Sequence, residues 1–135
     1  MPITVEWDDA EKLALRYTYP EIWTWDDLFL AIAQGDALLD EVNSKVFIII
    51  DLRQNKTLPP NVLVHARNIF KHIHPHSGDN IVIGMNRFVR AMADTFSRLF
   101  GTIMPIPQTV ETLEEAHAFI AYHASLVTTV SAMRD

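Results

Sequence analysis

The sequence predicts a single-domain α/β fold: one mixed sheet with helices packed on it, in the order ββαβαβαβα. Three observations predict this. VFIII (Val46–Ile50) is a continuous apolar run, as a strand buried on both faces requires, and NIVIGM (Asn80–Met85) reads as a second buried strand. Stretches of helical apolar spacing lie between and after these runs, the alternation that gives parallel strands joined by crossovers. The chain has 135 residues, 49% of them hydrophobic and 21% charged, which suits one ordinary core.

The elements follow in order. Ile3–Trp7 and Leu13–Tyr19 alternate apolar with polar residues, as half-buried strands do. The short polar Asp8-Asp9-Ala10-Glu11 between them makes a β-hairpin, and Pro20 ends the second strand. Thr24 is an N-cap with Asp27 three residues on, a variant of the capping box. Trp23 and Leu28 have the spacing of a hydrophobic staple. Trp25, Leu28, Ile32, Gly35, Leu39 and Val42 then recur as one helical stripe. Staple and core roles outweigh a ligand platform for Trp23 and Trp25.

VFIII is the central strand. After the loop DLRQNKTLPP, Pro59 and Pro60 suit the start of a helix from about Asn61 to about His72, with Val62, Ala66 and Ile69 on one face and Leu63 and Phe70 beside them. Asn86 leaves the next strand and caps a helix over 87–100. There Phe88, Met92, Phe96 and Leu99 form one stripe and Arg87, Arg90, Asp94 and Arg98 the other, and Gly101 stops it. Ile103–Gln108 holds two prolines, which places it at a sheet edge. Thr109 or Glu111 opens the last helix, with Leu113, Ala116, Ile120 and Ala124 inward; residues 127–135 either continue it or fray. Crossovers between these strands are expected to be right-handed, with parallel neighbours.

Composition excludes several functions. There is no cysteine, hence no disulfide framework, thiol nucleophile, iron–sulfur cluster or Cys-based zinc site. The net charge is −6, which argues against a dedicated nucleic-acid binder. Acids dominate residues 1–42 and bases dominate 43–100, so the middle of the chain suits one anionic ligand or an acidic partner, or simply presents solvated helix faces. The start, MPITVEWDDAEK, has no basic region followed by an apolar run, and the longest apolar run is far shorter than a membrane span. A cytoplasmic protein without membrane insertion is the expectation. There is no nucleophile elbow, no H-E-x-x-H and no Gly-rich phosphate loop. No enzyme, cofactor or metal is therefore expected.

This element order, the strand ending in Asp (VFIIID), the block IVIGMNRFVRAMADTF and the closing TLEEAHAFI together resemble the STAS / SpoIIAA-like family, over roughly Ile3 to Tyr122. The resemblance implies one STAS-like domain over 1–135 with its core at about 3–123. It implies a bacterial regulatory or protein-interaction module, and its likeness to the lipid-binding lobe of the CRAL-TRIO fold keeps a small apolar or anionic ligand as the alternative. Phospho-switch members carry Asp-Ser-Ser-Gly at the start of the helix after the third strand. Here that region reads LPPNVL (Leu58–Leu63), with no serine and with Thr57 ahead of the prolines.

Ligands of open α/β sheets bind beyond the carboxyl ends of parallel strands. The loops there offer Asp51, Arg53, Asn55, Lys56 and Thr57, then Asn86 and Arg87, as ligand- or partner-binding candidates. Three of these are cations near helix N-termini, which favours an anion. Asp51 serves equally well as an acceptor for loop N–H groups. An apolar cavity under the Phe88, Met92, Phe96 and Leu99 stripe is the corresponding lipid-type site, and an enzyme acting on an anion through Arg53, Lys56 and Arg87 is the weakest reading. His72, His74 and His76 alternate within KHIHPHSGDN. They read as a helix end and a turn broken by Pro75, at the amino end of the sheet and away from these loops, rather than as a metal site. A homodimer through an edge strand or apolar helix face is a further expectation.

Overall fold

The computed structural model describes residues 2–85, 90, 91, 94, 98 and 108–134. Its sheet has five strands: β1 (Thr4–Trp7), β2 (Ala14–Thr18), β3 (Val46–Asp51), β4 (Ser77–Ile83) and β5 (Gln108–Val110). They lie side by side in chain order, β1-β2-β3-β4-β5. β1 is antiparallel to β2, and every other neighbouring pair is parallel. The mixed α/β sheet is thus as the residue pattern predicts, with VFIIID at its centre. The described helices are α1 (Trp25–Leu39), α2 (Val62–Phe70) and α3 (Leu113–Arg134). Arg90, Ala91, Asp94 and Arg98 are helical as well. The Phe88, Met92, Phe96 and Leu99 stripe, Gly101 and most of the Ile103–Gln108 segment lie outside the described residues.

Strand alternation gives the sheet two different apolar faces. Ile3, Leu15, Tyr17, Ile48 and Val82 pack with Leu28, Ala31 and Leu39 of α1, and Ile69 of α2 packs against the same cluster. Ala14, Ile49, Ile81 and Ile83 point the other way, onto Ala116 and Ile120 of α3. The α1 cap forms as its residues predict. Asp27 donates its N–H to Thr24 Oγ1 at 3.1 Å, and the Asp27 carboxylate accepts the Thr24 N–H at 2.9 Å. Trp23 and Leu28 are both buried in the first cluster, and Trp25 stacks on His65 of α2 at 4.7 Å.

Some boundaries differ from the sequence pattern for identifiable reasons. β4 begins at Ser77 rather than Asn80, because Val46 pairs with Ser77 and donates its N–H to His76 O; ladder bonds, not apolar side chains, define that start. α2 starts after Asn61, which adopts a left-handed φ of 64°. β5 extends into Thr109 and Val110, which pair with Val82 and Ile83. α3 opens at Leu113, where Thr112 Oγ1 accepts the Glu115 N–H at 3.1 Å. It continues to Arg134, so the tail extends the helix.

Candidate functional site

Period-two alternation sends Tyr17, Ile48, Ile50 and Asn80 to the face covered by α1 and α2. Helical spacing brings Leu28, Ile32, Asp36 and Leu39 down onto the same face. The end of α2 adds Asn68 and Ile69, and the turn after it adds His72, Ile73 and His74. Between these walls lies a cavity of about 530 Å³ that opens to solvent. Its size is within the usual range for small-molecule sites, about 300–1,000 Å³.

Most of the cavity's polar groups gather toward one end. Tyr19, Leu28, Phe29 and Ile50 lie toward the carboxyl ends of β2 and β3. Asp36, Asn68, His72, His74 and Ser77 lie toward the amino ends of β3 and β4, because α1 and α2 both run back against the strands. Gly35 shapes the wall: a Cβ there would sit 1.9 Å from the Tyr17 hydroxyl, so only glycine lets this phenol lie against α1.

The electrostatics follow from burial. The Asp36 carboxyl is held above the usual carboxylate range, chiefly by desolvation; His74 works against that shift and Asp40 adds to it. Burial, then the nearby Asp36, pushes the Tyr17 phenol up to about 12. Burial, then Tyr17, raises Tyr19 further. Both phenols are neutral at physiological pH.

Each histidine of the turn has its own partner. His72 Nδ1 donates to Asn68 O at 3.2 Å. His74 Nδ1 accepts the His76 N–H at 2.9 Å, which leaves Nε2–H to donate to Asp40 at 2.8 Å. His76 Nδ1 donates to Leu39 O at 2.9 Å. This divides the three rings among separate tasks, and no group of His, Cys, Asp and Glu among the described residues is arranged to hold a metal. The turn lies at the amino end of the sheet, and there His72 and His74 line the cavity.

The loop candidates form a separate group. Asp51 is buried and accepts two bonds from the Arg53 guanidinium, at 2.9 and 2.7 Å, and one from its N–H at 3.1 Å. Burial alone would raise the Asp51 carboxyl, but these bonds with the charges of Arg53 and Arg16 hold it below the usual range. Gly84, with φ of 70°, lets β4 leave the sheet directly against Arg53. Asn55 is buried and donates to Thr57 O at 3.0 Å. Lys56 pairs with Glu21 at 3.6 Å, both exposed, and Thr57 is exposed. None of these five is among the cavity's described lining residues, and Asn86 and Arg87 lie outside the described residues.

No known protein-family model matches the chain, and comparison with curated protein sequences finds no match.

Tyr17, Asp36, Asn68 and Asn80 escape a search for motifs, because they come from four different elements. One signal was present. Asp36 falls four residues after Ile32, on the stripe that the rest of α1 keeps apolar, and a polar group on a core-facing stripe points to a special site.

Proposed function

We propose that this protein binds a small, largely apolar molecule in the cavity between α1, α2 and the sheet. The observation that carries this reading is the cavity itself: about 530 Å³, walled by aliphatic and aromatic side chains, with a few polar groups gathered at one end. Small-molecule sites commonly combine an apolar body with a few orienting polar groups. A neutral apolar probe such as N-phenyl-naphthylamine tests it. Saturable fluorescence enhancement is expected from the wild-type chain. Ile32→Trp, which fills the cavity from α1, is expected to weaken binding at least about tenfold, the effect of losing roughly 1.4 kcal/mol of contact. Probe binding that does not saturate, or that ignores this substitution in a folded variant, rules the reading out.

A second reading is a non-catalytic STAS-like regulatory module that binds a protein partner or a second copy of itself. The exposed apolar Leu30 of α1 and Val64 of α2 favour it. If it holds, Leu30→Glu with Val64→Glu abolishes capture of a partner or self-association in sedimentation experiments. Association that survives both changes counts against it.

A further inference from the structure

The cavity's described lining includes one carboxylate, Asp36, and no lysine or arginine. No donor among the described residues is hydrogen-bonded to that carboxylate, which is half-buried. His74 stands at the same end of the cavity, its Nδ1 accepting the His76 N–H and its Nε2–H directed to Asp40 rather than to Asp36. The Tyr17 hydroxyl packs against Gly35, the residue before Asp36.

An anionic head group placed beside Asp36 would meet a like charge, and no lysine or arginine among the described lining residues offsets it. A cationic nitrogen would find a carboxylate without a described hydrogen-bond donor, which attracts it by charge-assisted hydrogen bonding. Because Asp36 is half-buried, the nitrogen would keep part of its hydration, which limits its desolvation cost.

Resting on the cavity reading above, we infer that the occupant is a cationic amphiphile: an apolar body lying along Tyr19, Phe29 and Ile50, with a protonated amine at Asp36. The polarity gradient of the cavity sets the orientation and Asp36 sets the head group. This departs from the expectation of an apolar or anionic ligand: the body stays apolar, and the head group carries the opposite charge.

Calorimetric titration with octylamine, octanol and octanoate at neutral pH tests it, since the three share a tail and differ in the head. Octylamine is expected to bind at least about tenfold more tightly than octanol, as a hydrogen bond to a charged group allows. Octanoate is expected to bind most weakly. Asp36→Asn is expected to bring octylamine down to the octanol level while leaving octanol unchanged. Octanoate binding as tightly as octylamine, or an amine preference that survives Asp36→Asn, overturns the head-group assignment and leaves the cavity reading standing. Failure of all three to bind overturns both. The wild-type series decides the matter even if the variant does not fold.

Discussion

Asp36 and Asp51 are both carboxylates at the edge of the core, and their environments drive them in opposite directions. Asp51 has guanidinium and backbone donors, which outweigh its burial and lower its pKa. Its stabilising contribution is therefore present above the unfolded value of about 3.9 and is lost as pH falls toward the lower folded value. Asp36 is desolvated without donors, so its pKa is raised and its charged form weakens the fold once pH climbs above about 3.9. The paired prediction is that Asp51→Asn costs about 1–3 kcal/mol at pH 7, the penalty of removing an ionised acceptor from buried donors. Asp36→Asn raises Tm at pH 7, with the gain fading toward pH 3. Thermal melts of both variants across pH 3–7 check the two signs; a lower Tm for Asp36→Asn at pH 7 would show that the acid has a stabilising partner.

At the scale of elements, α1 does two jobs. Its capping box fixes where it begins, and its apolar stripe seats it on the sheet. Gly35 interrupts that stripe so that the Tyr17 ring can enter. Alanine has the better helix propensity by about 1 kcal/mol, yet its Cβ would meet a rigid ring, and overpacking costs about 1–3 kcal/mol. Gly35→Ala is therefore expected to lower stability and reduce probe binding together, measured by urea unfolding and fluorescence titration. A more stable variant with unchanged binding would show that Tyr17 moves aside freely. On the opposite face α3 meets the hairpin, where His117 Nε2 lies 2.7 Å from the buried Asp8 carboxylate. Arg16 Nη1 stands 3.2 Å from the same carboxylate, in an ion-pair contact without hydrogen-bond alignment.

For the whole molecule, the sheet separates a packed core under α3 from a core under α1 and α2 that is hollow on one side. A bound ligand stabilises the native state by mass action, about 2.7 kcal/mol at one hundred times its Kd. It acts on the walls it touches. Saturating octylamine is expected to slow amide hydrogen exchange in α1, α2 and the 71–76 turn well before α3, which mass spectrometry of peptic fragments resolves. Uniform protection across both faces, or none, would place the ligand elsewhere. No helix among the described residues is long and apolar enough to cross a membrane.

What was legible in the residues was whatever depends on neighbours in the chain. The Thr24–Asp27 cap, the stripe of α1, and the buried runs of β3 and β4 are local patterns of period and capping, and they point to the α/β class with its mixed sheet. The start of β4 at Ser77 and the extension of β5 into Val110 were hidden, because they are set by ladder bonds to other strands, not by side-chain character. The cavity was hidden for a stronger reason. Tyr17, Asp36, Asn68, His72 and Asn80 are spread over more than sixty residues of chain, and each looks like an ordinary strand, helix or turn residue alone. Only the sheet register and the return of α1 and α2 across it place them around one space. The residues determined which faces are apolar; tertiary packing decided where those faces fail to close.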